Sequence, residues 1–500
     1  MNASDKIISI NDVVFGTDDI ALCYGHFNLI HPGHLRYLQH AKTLAKKLIV
    51  VIVSDEELER GLFGQHFSEE ERAESVSNLQ IVEQVVILKG FNFYELVDII
   101  KPKVLVFGKE FEKQQPEHIS LAIDMVNKQG SVVFHAGDMH YSNTNLLNNN
   151  ISDIESSSRE QLNRICKNYN ITLGGLKSRF DNFSSVKLLV LGDTIVDNYV
   201  ACDALGMSAE APVLVVKELE NREFIGGAAI VASHVAALGA VCHYISVVGK
   251  DEQSNMVAES LDSQGVKADL IIDPTRPTTY KTRYMVENQK LFRVSRIKEH
   301  KVSTEIELKI IEKIKKLAPK LDGIMISDFV YGVITPNILN SIISLSEEFN
   351  LKLFGDLQCS SQIGKVTKFI GFELITPTER ESRIALNDNE SGIEWIANTL
   401  LKRTDSKNIL VKLGSDGFIA YNNNKPTQRQ NFPALTANAV DASGAGDSLF
   451  SAMSVSLASG AKLMEASAIG ACMASLAVKE VGNTPIGKNK LFNYIENLLD

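Results

Sequence analysis

The stretch Asp441-Ala442-Ser443-Gly444-Ala445-Gly446-Asp447 ends in an acid directly after a tight Gly-Ala-Gly turn, and the run behind it, SLFSAMSVSLASG, has helical spacing. Three successive backbone N–H groups at such a helix start, those of Gly444, Ala445 and Gly446, form a cradle for a phosphoryl group. The Asp447 carboxylate stands beside that cradle, placed to take a proton from an attacking hydroxyl. Far upstream, Gly25-His26-Phe27-Asn28-Leu29-Ile30-His31-Pro32-Gly33-His34 suits a different phosphate chemistry. Two phosphate-handling sites on one chain imply two fused enzymes.

The chain has 500 residues, too many for one core, so two or three domains are expected. With 44% apolar and 22% charged residues it is an ordinary globular protein. A net charge of −10 argues against nucleic acid as a partner, which calls for a basic excess. Small anionic substrates stay compatible, because local Lys, Arg and helix N-termini decide that. The six cysteines are scattered with no CxxC pair, so they read as reduced thiols rather than a disulfide or zinc framework. The first residues lack a basic region followed by an apolar stretch, and no apolar run reaches about 18 residues. The expectation is a soluble, cytoplasmic protein without a membrane partner.

From Ile20 onward, short β-branched runs alternate with amphipathic stretches. IALCYG, KLIVVIVSD, QVVIL and KVLVFG read as buried strands; HLRYLQHAKTLAKK, EERAESVSNL and FYELVDII read as the crossovers between them. This is the pattern of a small doubly wound α/β domain, Rossmann-like, over residues 1–147. Residues 148–184 are polar with a helix among them and read as a linker. A second α/β series fills 185–500, through VKLLVLGD, GIMISDF, KLFGDL and NILVKLG. APVLVVKEL and TTYKTRYMVENQKLFRV are too β-rich and too short for crossovers, so they predict a small β lid on this second domain.

His31 and His34 stand three apart around Pro-Gly, after a strand and at the start of a helical run. Pro and Gly favour that tight entry, and the spacing puts both imidazoles on one face. Two donors at a helix N-terminus suit the α-phosphate of a nucleotide, where charge builds up as pyrophosphate leaves. GHFNLIHPGHLRYLQHAK resembles the signature of the cytidylyltransferase-like nucleotidyltransferases, over about residues 20–150. The resemblance implies that Gly25, Phe27, His31 and His34 handle the nucleotide, with Arg72 in SEEERAESV. Ser142 and Thr144 resemble the family's helix start that reaches the β- and γ-phosphates. It also implies attack of a substrate phosphate on the α-phosphorus, with Mg2+ neutralising charge. Asn28 replaces the family's Asp, and FGKEF replaces a more Gly-rich loop; both bear on the acceptor.

No GxxxxGK[ST] occurs and no GxGxxG follows a strand, which disfavours phosphate-loop ATPases and dinucleotide enzymes. LLVLGDTIVDNYV, GGAAIVASHVAALGA and DASGAGDSLF occur in the order of the ribokinase-like sugar kinases, over about residues 186–495. That resemblance implies Asp447 as the base and Gly444, Ala445 and Gly446 as its anion hole. Asp193, Asp197, Gly226, Gly227 and Asp328 fall at sugar-binding positions. Lys412, Gly414 and Gly417 of KLGSDG fall at the nucleotide edge, and Glu381 at the acid that holds Mg2+ through water.

GDTIVDNYV, SAEAPVLVV, GGAA and KTRYMVENQKLFRV further resemble the heptose kinase half of the bifunctional ADP-heptose synthases, which also carry an H-x-G-H nucleotidyltransferase domain. The resemblance implies a sugar phosphate as substrate, with Lys281 and Arg283 at its phosphate and Asn288 and Arg293 as further contacts. It implies ATP as a substrate, CTP being an alternative for the N-terminal domain, and a homodimer through the lid. The order here is reversed, transferase before kinase. Ile230, Tyr331, Gln358 and Thr378 stand where heptose kinases carry Asn, Lys, Lys and Asn. The expected product is ADP-heptose or a relative. Two other readings stay open: a CDP-alditol- or CDP-sugar-forming transferase fused to a sugar kinase, and a kinase fold reduced to a sugar-binding regulatory module.

Overall fold

A computed structural model describes residues 3–10, 19–28, 30, 32–55, 67–90, 92–108, 117–126, 130–135, 151–208, 210, 213–286, 289–359, 363–423, 428–437 and 439–499. His31, Ser142, Thr144 and Asn288 lie outside the described residues. The chain forms two compact units, residues 1–150 with 388–396, and residues 151–387 with 397–500.

In the first unit, strands β1 (Ile7–Ile8), β2 (Ile20–Gly25), β3 (Lys47–Val53), β4 (Gln84–Leu88), β5 (Val104–Gly108) and β6 (Ser131–His135) make one parallel sheet in the order β1-β4-β3-β2-β5-β6. Successive side chains of a strand point to opposite faces, and here both faces are covered. Ile49, Val51 and Val53 of β3 join the core on one face, while Leu48, Val50 and Ile52 join the core on the other. This is why the sequence reads as unbroken apolar runs. Ser68 and Glu71 form a capping box on the helix Glu69–Ser77, and Asn92 and Glu95 form one on the helix Phe93–Ile100. The strand order reverses between β2 and β5. The carboxyl ends of these two strands, at Gly25 and Gly108, flank the crevice where such sheets bind ligands.

The second unit is built on nine strands in the order β11-β10-β7-β14-β15-β16-β17-β18-β19. They are β7 (Lys187–Gly192), β10 (Val241–Val248), β11 (Lys267–Ile272), β14 (Gly323–Asp328), β15 (Lys352–Leu357), β16 (Leu374–Ile375), β17 (Asn408–Lys412), β18 (Phe418–Asn422) and β19 (Gln428–Phe432). Pairing is parallel up to β17 and antiparallel beyond it. The lid is a separate sheet, β13-β12-β8-β9, of β8 (Thr194–Met207), β9 (Leu214–Gly227), β12 (Thr279–Val286) and β13 (Gln289–Arg296). Both predicted lid segments belong to it. The sequence reading missed the length of β8, because DALGM carries weak strand propensity.

The expected linker over 148–184 is corrected by the structure. From Ile151 it folds into the helices Ile151–Asn168 and Leu173–Asn182, which belong to the second unit. Leu162, Ile165, Ile171, Leu176, Phe180 and Phe183 join the same core as Leu188 and Val190 of β7. The Phe180 ring meets that of Phe492 edge-on at 5.3 Å. Burial of each such side chain is worth about 2 kcal/mol, enough to dock a helix pair that looks polar in sequence. Its apolar residues are spaced widely along two amphipathic helices, so composition alone reads as a connector.

Candidate active sites

The strand order of the second unit reverses between β7 and β14, and the predicted residues gather at the carboxyl ends of its parallel strands. Asp193 follows β7, Asp328 ends β14, Asp356 lies near the end of β15, and Lys412 ends β17. A cleft of about 530 Å³ opens at Lys412 and is lined also by Asp197, Lys281, Arg283, Glu381 and Asp447. Phe418, Leu435, Ala471 and Ala474 give it an apolar wall.

Gly444 caps the helix Ala445–Ala458 with φ 77°, and a Cβ there would stand 2.2 Å from Asn483 Oδ1. Only glycine fits this turn. The first helical bond is from Ser448 N–H to the Gly444 carbonyl at 2.9 Å, so the amides before it have no helical acceptor. Asp447 is buried behind the turn, and its Oδ1 accepts from Gln358 Nε2 at 2.7 Å. Burial, and next the Asp356 carboxylate, push its pKa up to about 7, against the pull of the Lys412 ammonium and the Gln358 amide.

The carboxylates expected to touch sugar differ in what holds them. Asp193 Oδ2 accepts the amides of Phe329 at 2.9 Å and Tyr331 at 3.3 Å, and Oδ1 that of Val333 at 3.4 Å. This carboxylate therefore shapes the loop after β14, while burial and the neighbouring Asp328 push its pKa up. In that loop Val330 has φ 65°, which costs a β-branched residue on the order of 1–2 kcal/mol. The amide bonds to Asp193, with Val330 N–H to Asp328 Oδ1 at 2.7 Å, offset the strain. Asp328 is also ion-paired with Lys368. Asp197 accepts from Arg283 Nη1 at 2.5 Å and from Asn483 Nδ2 at 3.2 Å. Gly226 and Gly227 supply clearance: a Cβ at Gly226 would stand 2.4 Å from Asp197 Oδ2, and one at Gly227 2.4 Å from the Asp193 carbonyl.

Lys281 is only 3% exposed and lines the cleft. Its ammonium lies 5.4 Å from the Phe329 ring centre and 5.2 Å from that of Tyr331. Among the described residues it has no carboxylate partner, an arrangement that favours an incoming anion. Lys412 donates to Asp356 Oδ1 at 2.6 Å. Gly414 and Gly417 turn the chain with φ 66° and 87°. Glu381 accepts the amides of Cys359 at 3.0 Å and Thr378 at 2.8 Å, and lines the cleft. No group of three metal-ligating side chains occurs among the described residues. Of the four departures, Tyr331 walls Lys281, Gln358 bonds Asp447, Thr378 caps the helix Glu379–Leu386, and Ile230 is core.

In the first unit Phe27 has φ 49° and packs on Gly25, where a Cβ would stand 3.0 Å from the ring. Its ring centre is 5.0 Å from that of His34, in the first turn of the helix Pro32–Leu44. Arg72 is buried and engaged by the protein itself. Nε donates to the Phe67 carbonyl at 2.9 Å, Nη1 to that of His26 at 2.8 Å, and Nη2 to that of Val53 at 2.9 Å and to Asp55 at 2.6 Å. It ties the loop after β2 to the end of β3. Asn28 Oδ1 accepts Phe67 N–H at 2.7 Å.

Residues 186–488, more than half of the chain, match the model of the pfkB family carbohydrate kinases. The chain belongs to that family. Residues 22–158 match the cytidylyltransferase-like family. The bifunctional protein HldE of Helicobacter hepaticus is 30% identical over 327 residues, covering 64% of this chain and 65% of that protein. HldE of Pelobacter propionicus is 27% identical over 325 residues, with 64% and 65% covered. The chain spans about 65% of the length of these curated relatives. Phosphofructokinase-2 from Escherichia coli, solved in complex with substrates and products, aligns with a TM-score of 0.53 at 16% identity, covering 63% of this chain and 99% of that one. At that identity the likeness speaks for the fold of the pfkB unit alone. No helix among the described residues is long and apolar enough to cross a membrane.

Sequence reasoning missed Asp356, Lys368 and Asn483 of the pfkB unit. Lys368 and Asn483 belong to no motif and reach partners distant in sequence, whereas Asp356 opens the Asp356-Leu357-Gln358 stretch whose last residue the sequence reading singles out. The one local signal is the acid of KLFGDL, a charge at the end of an apolar strand.

Proposed function

We propose that the chain is a bifunctional enzyme of nucleotide-activated sugar synthesis. Its pfkB unit transfers a phosphoryl group from ATP to a sugar phosphate of the heptose 7-phosphate kind. Its N-terminal unit joins a nucleotide to a sugar 1-phosphate, giving ADP-heptose or a relative. The observation that carries this reading is the buried Lys281, with no carboxylate partner among the described residues, in the same cleft as Asp447 and the Gly444 turn. A sugar that already bears a phosphate supplies the missing anion. The likeness to HldE proteins supports the pairing of the two activities.

Asp447 takes the proton of the attacking hydroxyl, and the amides of Gly444, Ala445 and Gly446 hold the transferring group. Lys281, Arg283 and Arg293 receive the substrate phosphate, and Asp197 a sugar hydroxyl. Gly414 and Gly417 with the apolar wall receive the nucleotide. Mg2+, held through water by Glu381, supplies charge neutralisation between the phosphates when bound. In the N-terminal unit His31 and His34 bind the α-phosphate at the helix start, with Gly25, Phe27, Ser142 and Thr144 around the nucleotide, and Arg72 orders the loop. Leu205, Met207, Leu214, Leu219, Phe292 and Val294 are exposed on the lid, which supports a homodimer through that sheet.

ATP consumption measured over a panel of sugar phosphates, heptose 7-phosphates included, tests the kinase. Pyrophosphate release over a panel of nucleoside triphosphates with heptose 1-phosphates tests the transferase. Turnover with CTP and not ATP replaces ADP-heptose by a CDP product. Sugar binding without ATP consumption replaces the kinase by a regulatory module.

A further inference from the structure

Three buried ionisable side chains of the pfkB cleft reach one another. Asp356 is fully buried, and its Oδ1 accepts from Lys412 Nζ and from Thr376 Oγ1, each at 2.6 Å. Its Oδ2 accepts from Gln358 Nε2 at 3.1 Å, and the same nitrogen donates to Asp447 Oδ1 at 2.7 Å. Asp356 and Asp447 thus share one amide, and one ammonium stands by them. The Lys412 side chain is 10% exposed and turned inward. Its Nζ lies 3.4 Å from the place a Cβ would take on Gly446, beside Asp447. The charged groups that act most on Asp447 are Asp356 from β15, Lys412 from β17 and Asp197 from β8, the last already paired with Arg283, and Glu381 of the helix Glu379–Leu386 acts on Lys412 together with Asp356.

We propose that Lys412 is a positioning residue for phosphoryl transfer, acting with Asp356 and Gln358 to hold Asp447 in its ionised, proton-accepting form. The proposal rests on the reading of Asp447 as the kinase base. In that step the sugar hydroxyl oxygen bonds to the γ-phosphorus and its proton passes to Asp447. The bond to the bridging oxygen breaks, leaving the electron pair on ADP. A protonated Asp447 cannot receive that proton. Burial and Asp356 both favour protonation, and the ammonium opposes them. A cation that merely gripped nucleotide would point outward and leave Asp356 without its partner.

The test follows phosphorylation by the full chain against pH, with MgATP and the sugar phosphate that wild type turns over fastest. In Lys412→Met the acid limb of kcat moves to higher pH by about one to three units, and kcat recovers above it. Lys412→Arg keeps the limb near wild type, and Asp356→Asn moves it to lower pH. Lys412→Met strips a buried carboxylate of its cation and threatens folding. The double variant Lys412→Met/Asp356→Asn, neutral at both positions, is therefore compared with Asp356→Asn alone, and its limb lies at higher pH. An unmoved limb in Lys412→Met, with kcat lowered equally at every pH, overturns the proposal. So does a limb shared by the double variant and Asp356→Asn. A wild type that phosphorylates no sugar phosphate overturns the kinase reading itself, and Lys412's role with it.

Discussion

Each unit carries a glycine at the carboxyl end of a parallel strand or at the start of a helix, where phosphate binding is proposed, yet the two handle charge differently. In the N-terminal unit the buried cation, Arg72, is consumed by carbonyls and Asp55, and so serves the loop that carries Phe27. In the pfkB unit Asp447, Lys412 and Lys281 line the cleft, and Asp356 is fully buried behind Lys412. A buried charge left open to a ligand is costly, so its retention marks the ligand's charge and position. The expected outcome is therefore a pfkB site sensitive to pH and to the loss of single charges.

The largest expected effect comes from Asp447→Asn. The amide keeps the shape of the side chain but cannot accept the proton, so phosphorylation falls on the order of 100- to 10,000-fold. Affinity for ATP and the rate of nucleotidyl transfer stay at wild-type levels, as calorimetry and pyrophosphate release will show. A variant that phosphorylates as fast as wild type moves the base elsewhere. His34→Ala reverses the pattern. Nucleotidyl transfer drops on the order of 100- to 1000-fold, and phosphorylation is untouched. Pyrophosphate release at the wild-type rate removes His34 from the mechanism.

Lys281→Met leaves the fold intact, because the ammonium has no carboxylate to abandon. KM for the sugar phosphate rises on the order of 10- to 100-fold, the worth of a charge-assisted contact. An unphosphorylated sugar should show no such change, and equal losses for both would assign Lys281 a packing role. The pH dependence is milder. Asp447 works ionised and its pKa is pushed up to about 7, so phosphorylation declines as pH falls through that value, about tenfold per unit below it. Nucleotidyl transfer by the same sample should not share this limb. The smallest effect is that of separating the units. A cut after Asn150 keeps the helices 151–182 with the pfkB core but leaves residues 388–396, which cluster with the first unit, on the C-terminal piece; each piece should still retain its own activity. Moving the cut to Ser185 exposes Leu176, Phe180 and Phe183, and thermal denaturation of the pfkB piece will register the loss.

Much of this was legible in the chain. Strands buried on both faces appear as continuous β-branched runs, so IALCYG and KLIVVIVSD announced a parallel sheet. Gly444 and Asp447 announced themselves because a left-handed turn tolerates little but glycine. The sequence predicts a helix within 148–184, but that the pair 151–182 packs into the pfkB core stayed hidden, because its apolar residues are few and partners such as Phe492 lie hundreds of residues away. Arg72 stood in the expected place in sequence, but only its four bonds reveal what its guanidinium serves.

The sequence by itself determined two α/β units, the glycines Gly25 and Gly444 at a strand end and a helix start, and the acid Asp447 beside the second. Spacing and glycine placement are local properties, and local physics reads them. The tertiary structure alone decided that Lys412 pairs with Asp356, that Lys368 pairs with Asp328, and that Lys281 is buried with no carboxylate partner among the described residues. Each of these depends on strand ends brought together by the sheet, and the free energy of a buried charge is fixed by its neighbours in space rather than along the chain.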